Sequence, residues 1–178
     1  MLRREFLPVL VTAWCSPALA ETAPYHRRVL RDPDGAETSL AEAAAGQALV
    51  VVVMKGYWCR VCIAQLGRLC QRKPELAALR TSLVGLNADA PATNKQLMEE
   101  HGLECPVLSD EKHEVLAELG LWLPREGHAL PGIVVFDRCG DEAARWVGRD
   151  PEDRPEDELF RVLRKLLDDR RVCERPSA

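Results

Sequence analysis

The sequence predicts an α/β domain in which helices cover both faces of a mixed central sheet. Three apolar segments without a charged residue, 48–54, 82–88 and 133–136, predict buried strands. The first and the last are rich in β-branched residues, and a strand that is apolar on both faces lies inside a covered sheet. Segments with helical spacing separate these strands, an alternation typical of α/β folds.

An amino-terminal extension precedes the first buried strand. Residues 32–35 (Asp-Pro-Asp-Gly) lie between Val29-Leu30 and Ser39-Leu40 and predict the turn of a hairpin. Residues 40–45 are expected to form a short helix that ends near Gly46.

The remaining elements complete the predicted domain. After the first buried strand, apolar residues from Cys62 to Cys70 recur with helical spacing, and Pro74 is expected to end or kink that helix. Further helices are predicted over 93–101, from 109 or 110 to 119, and from Pro155 onward, with a short extended segment at 107–108 and an edge strand at 145–147. Strands and helices in this order predict a mixed sheet with helices on both faces.

Residues 1–20 have the pattern of a secretory signal peptide. A basic start is followed by an apolar run over 8–19 that is too short to span a bilayer and is followed by Ala20. Residues 3–7 (Arg-Arg-Glu-Phe-Leu) resemble a twin-arginine export signal, so the twin-arginine and the general secretory routes both stay open. We expect cleavage after Ala20, a redox domain over 21–178, and a periplasmic or secreted protein without stable membrane insertion after cleavage.

The charge of the chain argues against nucleic acid as a partner. The 178 residues carry a formal net charge of -4, with basic and acidic residues mixed along the chain. Because no basic stripe is available to follow a phosphate backbone, no binding of nucleic acid is expected.

The strongest chemical signal is the pair Cys59 and Cys62, placed where the first buried strand gives way to a helix. Unpaired backbone N–H groups and the helix dipole stabilise an anion there, so the thiolate form of Cys59 is expected to be favoured. Arg60 adds positive charge, and Cys62 lies one turn further on, close enough to attack a mixed disulfide on Cys59. The pair is therefore predicted to be the redox site. Trp58 and Tyr57 are candidates for an apolar lip that binds a partner, or equally for core packing.

Two other roles fit this pair less well. A zinc site needs four ligands, and no second Cys-x-x-Cys and no His-x-x-His motif accompanies this one, so no metal and no other cofactor is expected. The four histidines are scattered and are expected at the surface. A purely structural bridge across so short a loop would constrain the unfolded chain little.

The cysteines outside the pair are expected to be mostly singletons. Cys70 is predicted to be a small buried hydrophobic residue on the apolar face of its helix. Cys105, Cys139 and Cys173 lie in or near loops, where one disulfide among them is open in an oxidising compartment. A resolving role for one of these three is the alternative.

The residues around the pair resemble a known fold family. A strand followed by Trp58-Cys59-Arg60-Val61-Cys62 and a helix is similar to thioredoxin-fold proteins. Leu130-Pro131, before the third buried strand, resembles the cis-proline of that fold, whose backbone holds the substrate chain. Segments 84–89 and 105–110 resemble the peroxiredoxin branch, the alkyl hydroperoxide reductase/thiol-specific antioxidant (redoxin) family. The resemblance covers residues 28–168.

The two branches imply different roles for the same cysteines. In thioredoxin-like exchange, Cys59 attacks and Cys62 resolves. The Thr-x-x-Cys of peroxiredoxins would place the peroxidatic cysteine on Cys62, with Cys59 where the Thr stands. The chain has neither that Thr nor the preceding Pro, no arginine where Leu130-Pro131 stands, and Val53 where thioredoxin has a buried acid.

These observations predict an exported thiol–disulfide oxidoreductase that acts on protein or small-molecule disulfides. Cys59 and Cys62 would be catalytic, with Trp58, Leu130 and Pro131 on the substrate side. The alternative is a peroxiredoxin-like thiol peroxidase that reduces a peroxide through Cys62 or Cys59 and takes electrons from a thiol donor. A third interpretation, a redox-inactive binding module with the same fold, is opposed by the intact Cys-x-x-Cys.

Overall fold

The structure, a computed structural model, describes residues 24–148 and 156–169 of the chain. The predicted signal peptide, Cys15 and Cys173 lie outside the described residues. In chain order, the elements are a 3-10 turn over Pro24–Arg27, β1 (Leu30–Arg31), β2 (Glu37–Thr38), α1 (Leu40–Ala44), β3 (Ala48–Val53), α2 (Arg60–Gln71), α3 (Lys73–Ala78), β4 (Thr81–Asn87), α4 (Pro91–His101), β5 (Val107–Ser109), α5 (Glu114–Glu118), β6 (Trp122–Leu123), β7 (His128–Ala129), β8 (Gly132–Phe136), β9 (Glu142–Val147) and α6 (Glu156–Asp168).

Seven strands of the described residues form one mixed sheet in the order β2-β1-β5-β4-β3-β8-β9. Strands β3, β4 and β5 run parallel, whereas β1, β8 and β9 pair antiparallel with their neighbours. Strands β6 and β7 form a separate hairpin. The predicted α/β class with a mixed central sheet is therefore confirmed.

Strand β3 lies at the centre of the sheet because its side chains are buried on both faces. Val50 and Val52 belong to a core shared with α2 and α6, whereas Leu49, Val51 and Val53 belong to a core shared with α1 and α5. Successive side chains of a strand point to opposite faces, so an uninterrupted apolar run supplies both cores at once. Helices consequently cover both faces of the sheet.

The local predictions hold with small shifts of boundary. The hairpin of β1 and β2 turns at Gly35, whose φ is 84°, and the Asp32 carboxylate accepts the backbone N–H groups of Asp34 and Ala36 at 2.9 Å. Pro74 lies in the first turn of a separate helix, α3, where its missing N–H group costs no hydrogen bond within the helix.

The fold corrects two sequence-based expectations and adds one element. The helix predicted from 109 or 110 begins only at Glu114, because Asp110 accepts the N–H groups of Glu114 and Leu116 across an intervening turn. The β6–β7 hairpin was not predicted, since each of its strands has two residues. His26, expected at the surface, is only 3% exposed because it packs edge-on against Phe136.

Among the described residues, no helix combines the length and the apolar character that crossing a membrane requires.

Candidate active site

Cys59 and Cys62 lie at the amino-terminal end of α2 and form a disulfide, with their Cα atoms 5.3 Å apart. Cys59 is the residue that caps the helix, and its Sγ accepts the backbone N–H of Cys62 at 3.4 Å. This N–H is one of those that the first turn of a helix leaves without a partner inside the helix. The position therefore favours a negative charge on the Cys59 sulfur once the bridge is reduced.

The two cysteines differ in how completely they are buried. Cys59 is 9% exposed, whereas Cys62 is fully buried against the core below α2. A reactant arriving from solvent therefore meets Cys59 first.

Three exposed apolar side chains lie within two residues of Cys59 in the sequence. Tyr57, Trp58 and Val61 are 55%, 53% and 44% exposed. The Trp58 ring contacts the His128 ring edge-on, with 5.7 Å between the ring centroids. Tyr57 and Trp58 are thus exposed and do not belong to the core, and Trp58 has His128 as a neighbour, one of the histidines that sequence reasoning placed at the surface.

Leu130 and Pro131 lie where β7 leads into β8, near the end of β3, since Gly132 pairs with Val53. The expectation of a cis-proline is wrong, because none of the peptide bonds in the described residues is cis. The Leu130 N–H donates to the Leu121 carbonyl at 2.7 Å, and the Pro131 carbonyl accepts the Gly148 N–H at 3.1 Å. Both backbone groups are therefore engaged within the fold.

Asp89 was not predicted as a site residue, although it lies two residues after the end of β4. Its Oδ2 accepts the backbone N–H of Tyr57 at 2.7 Å and the side-chain amide of Asn87 at 2.9 Å. Burial raises the pKa of the Asp89 carboxyl above its usual range, and the hydrogen bond from Tyr57 opposes this shift only in part. The signal that could have found it is its position, since a polar residue after a central strand lies at the same edge of the sheet as the start of α2.

A buried network of hydrogen-bonded side-chain amides anchors Asp89. The side chains of Asn87 and Asn94 exchange two hydrogen bonds of 2.8 Å, and Asn94 also donates to the Ser109 hydroxyl at 2.8 Å. Both amides are fully buried, and Ser109 is 2% exposed. Satisfied networks of this kind are rigid, because any displacement leaves a buried polar group without a partner.

A second disulfide corrects the expectations for the other cysteines. Cys70, predicted to be a buried hydrophobic singleton, is bonded to Cys105, with 5.7 Å between their Cα atoms. The tertiary structure brings the last turn of α2 against the loop that precedes β5, a contact that sequence spacing does not reveal. Cys139, in the turn after β8, is also disulfide-bonded.

Within the described ranges, no group of three or more histidine, cysteine, aspartate or glutamate side chains is arranged to hold a metal ion.

Residues 17–141 match the AhpC/TSA family. Peroxiredoxin-4 of Dictyostelium discoideum is 25% identical over 113 residues, which is 60% of this chain and 44% of that protein. The putative peroxiredoxin YkuU of Bacillus subtilis (strain 168) is 28% identical over 113 residues, 60% of this chain and 63% of that protein. The matches thus span less than two thirds of the length of these curated relatives.

Solved structures share the fold. Peroxidoxin BcpB from Mycobacterium tuberculosis superposes with a TM-score of 0.71 at 20% identity, covering 78% of this chain and 92% of that one. The bacterioferritin comigratory protein of Xanthomonas campestris has a TM-score of 0.71 at 15% identity, covering 86% of this chain and 100% of that one. The mixed sheet with the cysteine pair at the start of α2 is accordingly a thioredoxin-like fold of the peroxiredoxin type. Since the family match extends over more than half of the sequence, the chain belongs to the AhpC/TSA family.

Proposed function

We propose that this protein is a thiol peroxidase that reduces a peroxide with the Cys59–Cys62 pair. The observation that carries the proposal is the disulfide at the amino-terminal end of α2 in a chain of the AhpC/TSA family. Of the two activities that the sequence suggests, the peroxidase therefore has more support than general thiol–disulfide exchange.

The geometry favours Cys59 as the attacking residue. Cys59 is the less completely buried residue of the two, and its Sγ accepts an N–H group from the first turn of α2. The Cys59 thiolate attacks one peroxide oxygen, so that an S–O bond forms and the O–O bond breaks. The leaving oxygen takes up a proton and departs as water or an alcohol, and Cys59 becomes a sulfenic acid.

Cys62, in the first turn of α2, completes the cycle. Its thiol attacks the Cys59 sulfur, the S–S bond forms, the S–O bond breaks, and water leaves. The product is the disulfide, and two electrons from a thiol donor return the pair to the reduced state. A donor thiol attacks Cys59, because the Cys62 sulfur is buried.

Single-cysteine variants test this assignment. We expect Cys62→Ser to consume one equivalent of hydrogen peroxide and to hold a sulfenic acid on Cys59, which dimedone labelling and mass spectrometry detect. Cys59→Ser should consume none. The opposite pattern, with the sulfenic acid on Cys62, would reverse the order of attack, and peroxide consumption by neither variant nor the wild type would refute the peroxidase. The double variant Cys70→Ala/Cys105→Ala is the control and should react like the wild type.

Thiol–disulfide exchange remains a second candidate because of the apolar lip. Tyr57, Trp58 and Val61 are exposed around Cys59, and such side chains are typical of surfaces that bind a protein partner. Reduction of a protein disulfide at a rate comparable to peroxide consumption would favour this activity.

We also propose that the protein is exported and acts in the periplasm or outside the cell. The sequence pattern of residues 1–20 supports export, and the disulfide-bonded cysteines fit an oxidising compartment. The exported protein should begin at Glu21, which amino-terminal sequencing checks, and an intact Met1 in the mature protein would contradict the proposal.

A further inference from the structure

We propose that Asp89 is a positioning residue for Cys59 and acts through the peptide group that joins Gly56 to Tyr57. The two hydrogen-bonding atoms of this one peptide group face in different directions. Its N–H, on Tyr57, donates to Asp89 Oδ2 at 2.7 Å. Its carbonyl, on Gly56, accepts the backbone N–H of Cys59 at 3.1 Å.

The arrangement links a side chain of one segment to the backbone of the reactive cysteine. Because a peptide group is planar, fixing the direction of its N–H also fixes the direction of its carbonyl. Hydrogen bonds in such a chain polarise and strengthen one another. Asp89 thereby holds the Cys59 backbone in the capping conformation from which Sγ meets the N–H of Cys62.

The carboxylate can act as a fixed point because it is itself anchored. The Asn87 side chain donates to Oδ2 at 2.9 Å and accepts the backbone N–H of Asp89 at 3.1 Å. Asn87 is in turn bonded to Asn94, both being fully buried. The hydrogen bonds that position Cys59 therefore continue through Asn87 of β4 to Asn94 of α4.

Gly56 provides independent support, since it leaves room for the close approach of Asp89. A Cβ at this position would lie 3.3 Å from Asp89 Oδ2 and 2.9 Å from Trp58 Nε1. The indole would have to move, and the carboxylate would have to give way by a smaller distance. A glycine thus stands where the carboxylate needs to reach the backbone.

This inference rests on the proposed role of Cys59 as the attacking residue, but the proposed activity is not needed to test it. Three variants are prepared in a Cys62→Ser background. Asp89→Ala removes the acceptor, whereas Asp89→Asn retains a carbonyl oxygen that can accept the Tyr57 N–H. Asp137→Ala is the matched control, because Asp137 also accepts backbone N–H groups, those of Cys139 and Asp141, but at the opposite end of β8.

The measured quantities are the rate constants of Cys59 with iodoacetamide and with hydrogen peroxide, resolved by mass spectrometry of the Cys59 peptide. We expect Asp89→Ala to slow both reactions about tenfold or more. Asp89→Asn should recover most of the rate, and Asp137→Ala should leave it unchanged. Where Asp89→Ala does not fold by circular dichroism, Gly56→Ala replaces it and should slow Cys59 in the same way.

Two outcomes would overturn the inference. Asp89→Ala (or Gly56→Ala in its place) reacting as fast as Asp137→Ala would show that the hydrogen bond does not position Cys59. Asp89→Asn being as slow as Asp89→Ala would show that the charge acts and not the acceptor. If the Cys62→Ser protein does not react with hydrogen peroxide but its reaction with iodoacetamide still depends on Asp89, the proposed function is refuted and this inference stands.

Discussion

The Cys70–Cys105 disulfide ties the last turn of α2 to the loop between α4 and β5, and we expect its removal to destabilise the fold strongly. The perturbation is the double variant Cys70→Ala/Cys105→Ala, which removes the bridge without adding a polar group. Both cysteines are buried, at 6% and 3% exposure. The Cα separation of 5.7 Å lies within the ordinary range for a disulfide.

The magnitude follows from the length of the loop that each bridge closes in the unfolded chain. The cysteines of this bridge are 35 residues apart, whereas Cys59 and Cys62 are 3 apart. The chain-entropy relation then gives about 3.8 kcal/mol for Cys70–Cys105 and about 1.6 kcal/mol for Cys59–Cys62. In a protein of this size, the larger loss lowers the melting temperature by roughly 8–15 °C.

Urea unfolding of the oxidised proteins, followed by tryptophan fluorescence, measures the free energies. We expect Cys70→Ala/Cys105→Ala to lose clearly more stability than Cys59→Ala/Cys62→Ala, and to keep the reactivity of Cys59 in the folded state. A loss below about 1 kcal/mol for the first variant would refute the reasoning from loop length. The same conclusion would follow if the two double variants were destabilised equally.

Three further predictions concern His26, Gly132 and Gly67. Burial lowers the pKa of His26 below 6.5. Below about pH 6.5 the unfolded chain therefore takes up a proton that the folded chain excludes, and the free energy of unfolding falls until the folded-state pKa is passed. Urea unfolding at pH 7.5 and 5.5 should show this fall, and His26→Gln should reduce it. Gly132→Ala should cost about 1–3 kcal/mol, because its Cβ would lie 2.9 Å from the Trp146 carbonyl oxygen, which is backbone. Gly67→Ala, inside α2 with only an ordinary 3.5 Å contact, should instead stabilise by about 0.5–1 kcal/mol. Equal melting temperatures for the two glycine variants would contradict the steric argument.

Local signals were sufficient for most of the secondary structure. The apolar run of β3 and the turn residues around Gly35 act within a few residues, so the sequence places them within small errors of boundary. The helix boundaries at Pro74 and Gly102 could be predicted for the same reason. The missing N–H group of proline and the left-handed φ of 59° at Gly102 are properties of single residues. The short β6–β7 hairpin escaped prediction because two-residue strands carry no periodicity.

Only part of the candidate site could be predicted from the sequence. Cys59 and Cys62 stand three residues apart at a strand-to-helix junction, and this spacing alone identifies a candidate redox pair. The prediction of a cis peptide bond at Leu130-Pro131 was wrong, and the backbone partners of this segment, Leu121 before β6 and Gly148 after β9, are not neighbours in the sequence. Asp89 was overlooked because its hydrogen bond to Tyr57 spans 32 residues of sequence.

The sequence by itself therefore determined the α/β class, the central strand and the candidate cysteine pair, since each depends on neighbouring residues. The tertiary structure alone decided which cysteine of the pair is more deeply buried, that Cys70 meets Cys105, and that Asp89 reaches the loop before Cys59. The parallel pairing of β3 with β4 brings Asp89 to the loop before Cys59, and the packing of the last turn of α2 against the loop before β5 brings Cys70 to Cys105. Burial and long-range hydrogen bonds are properties of that packing and not of any local pattern.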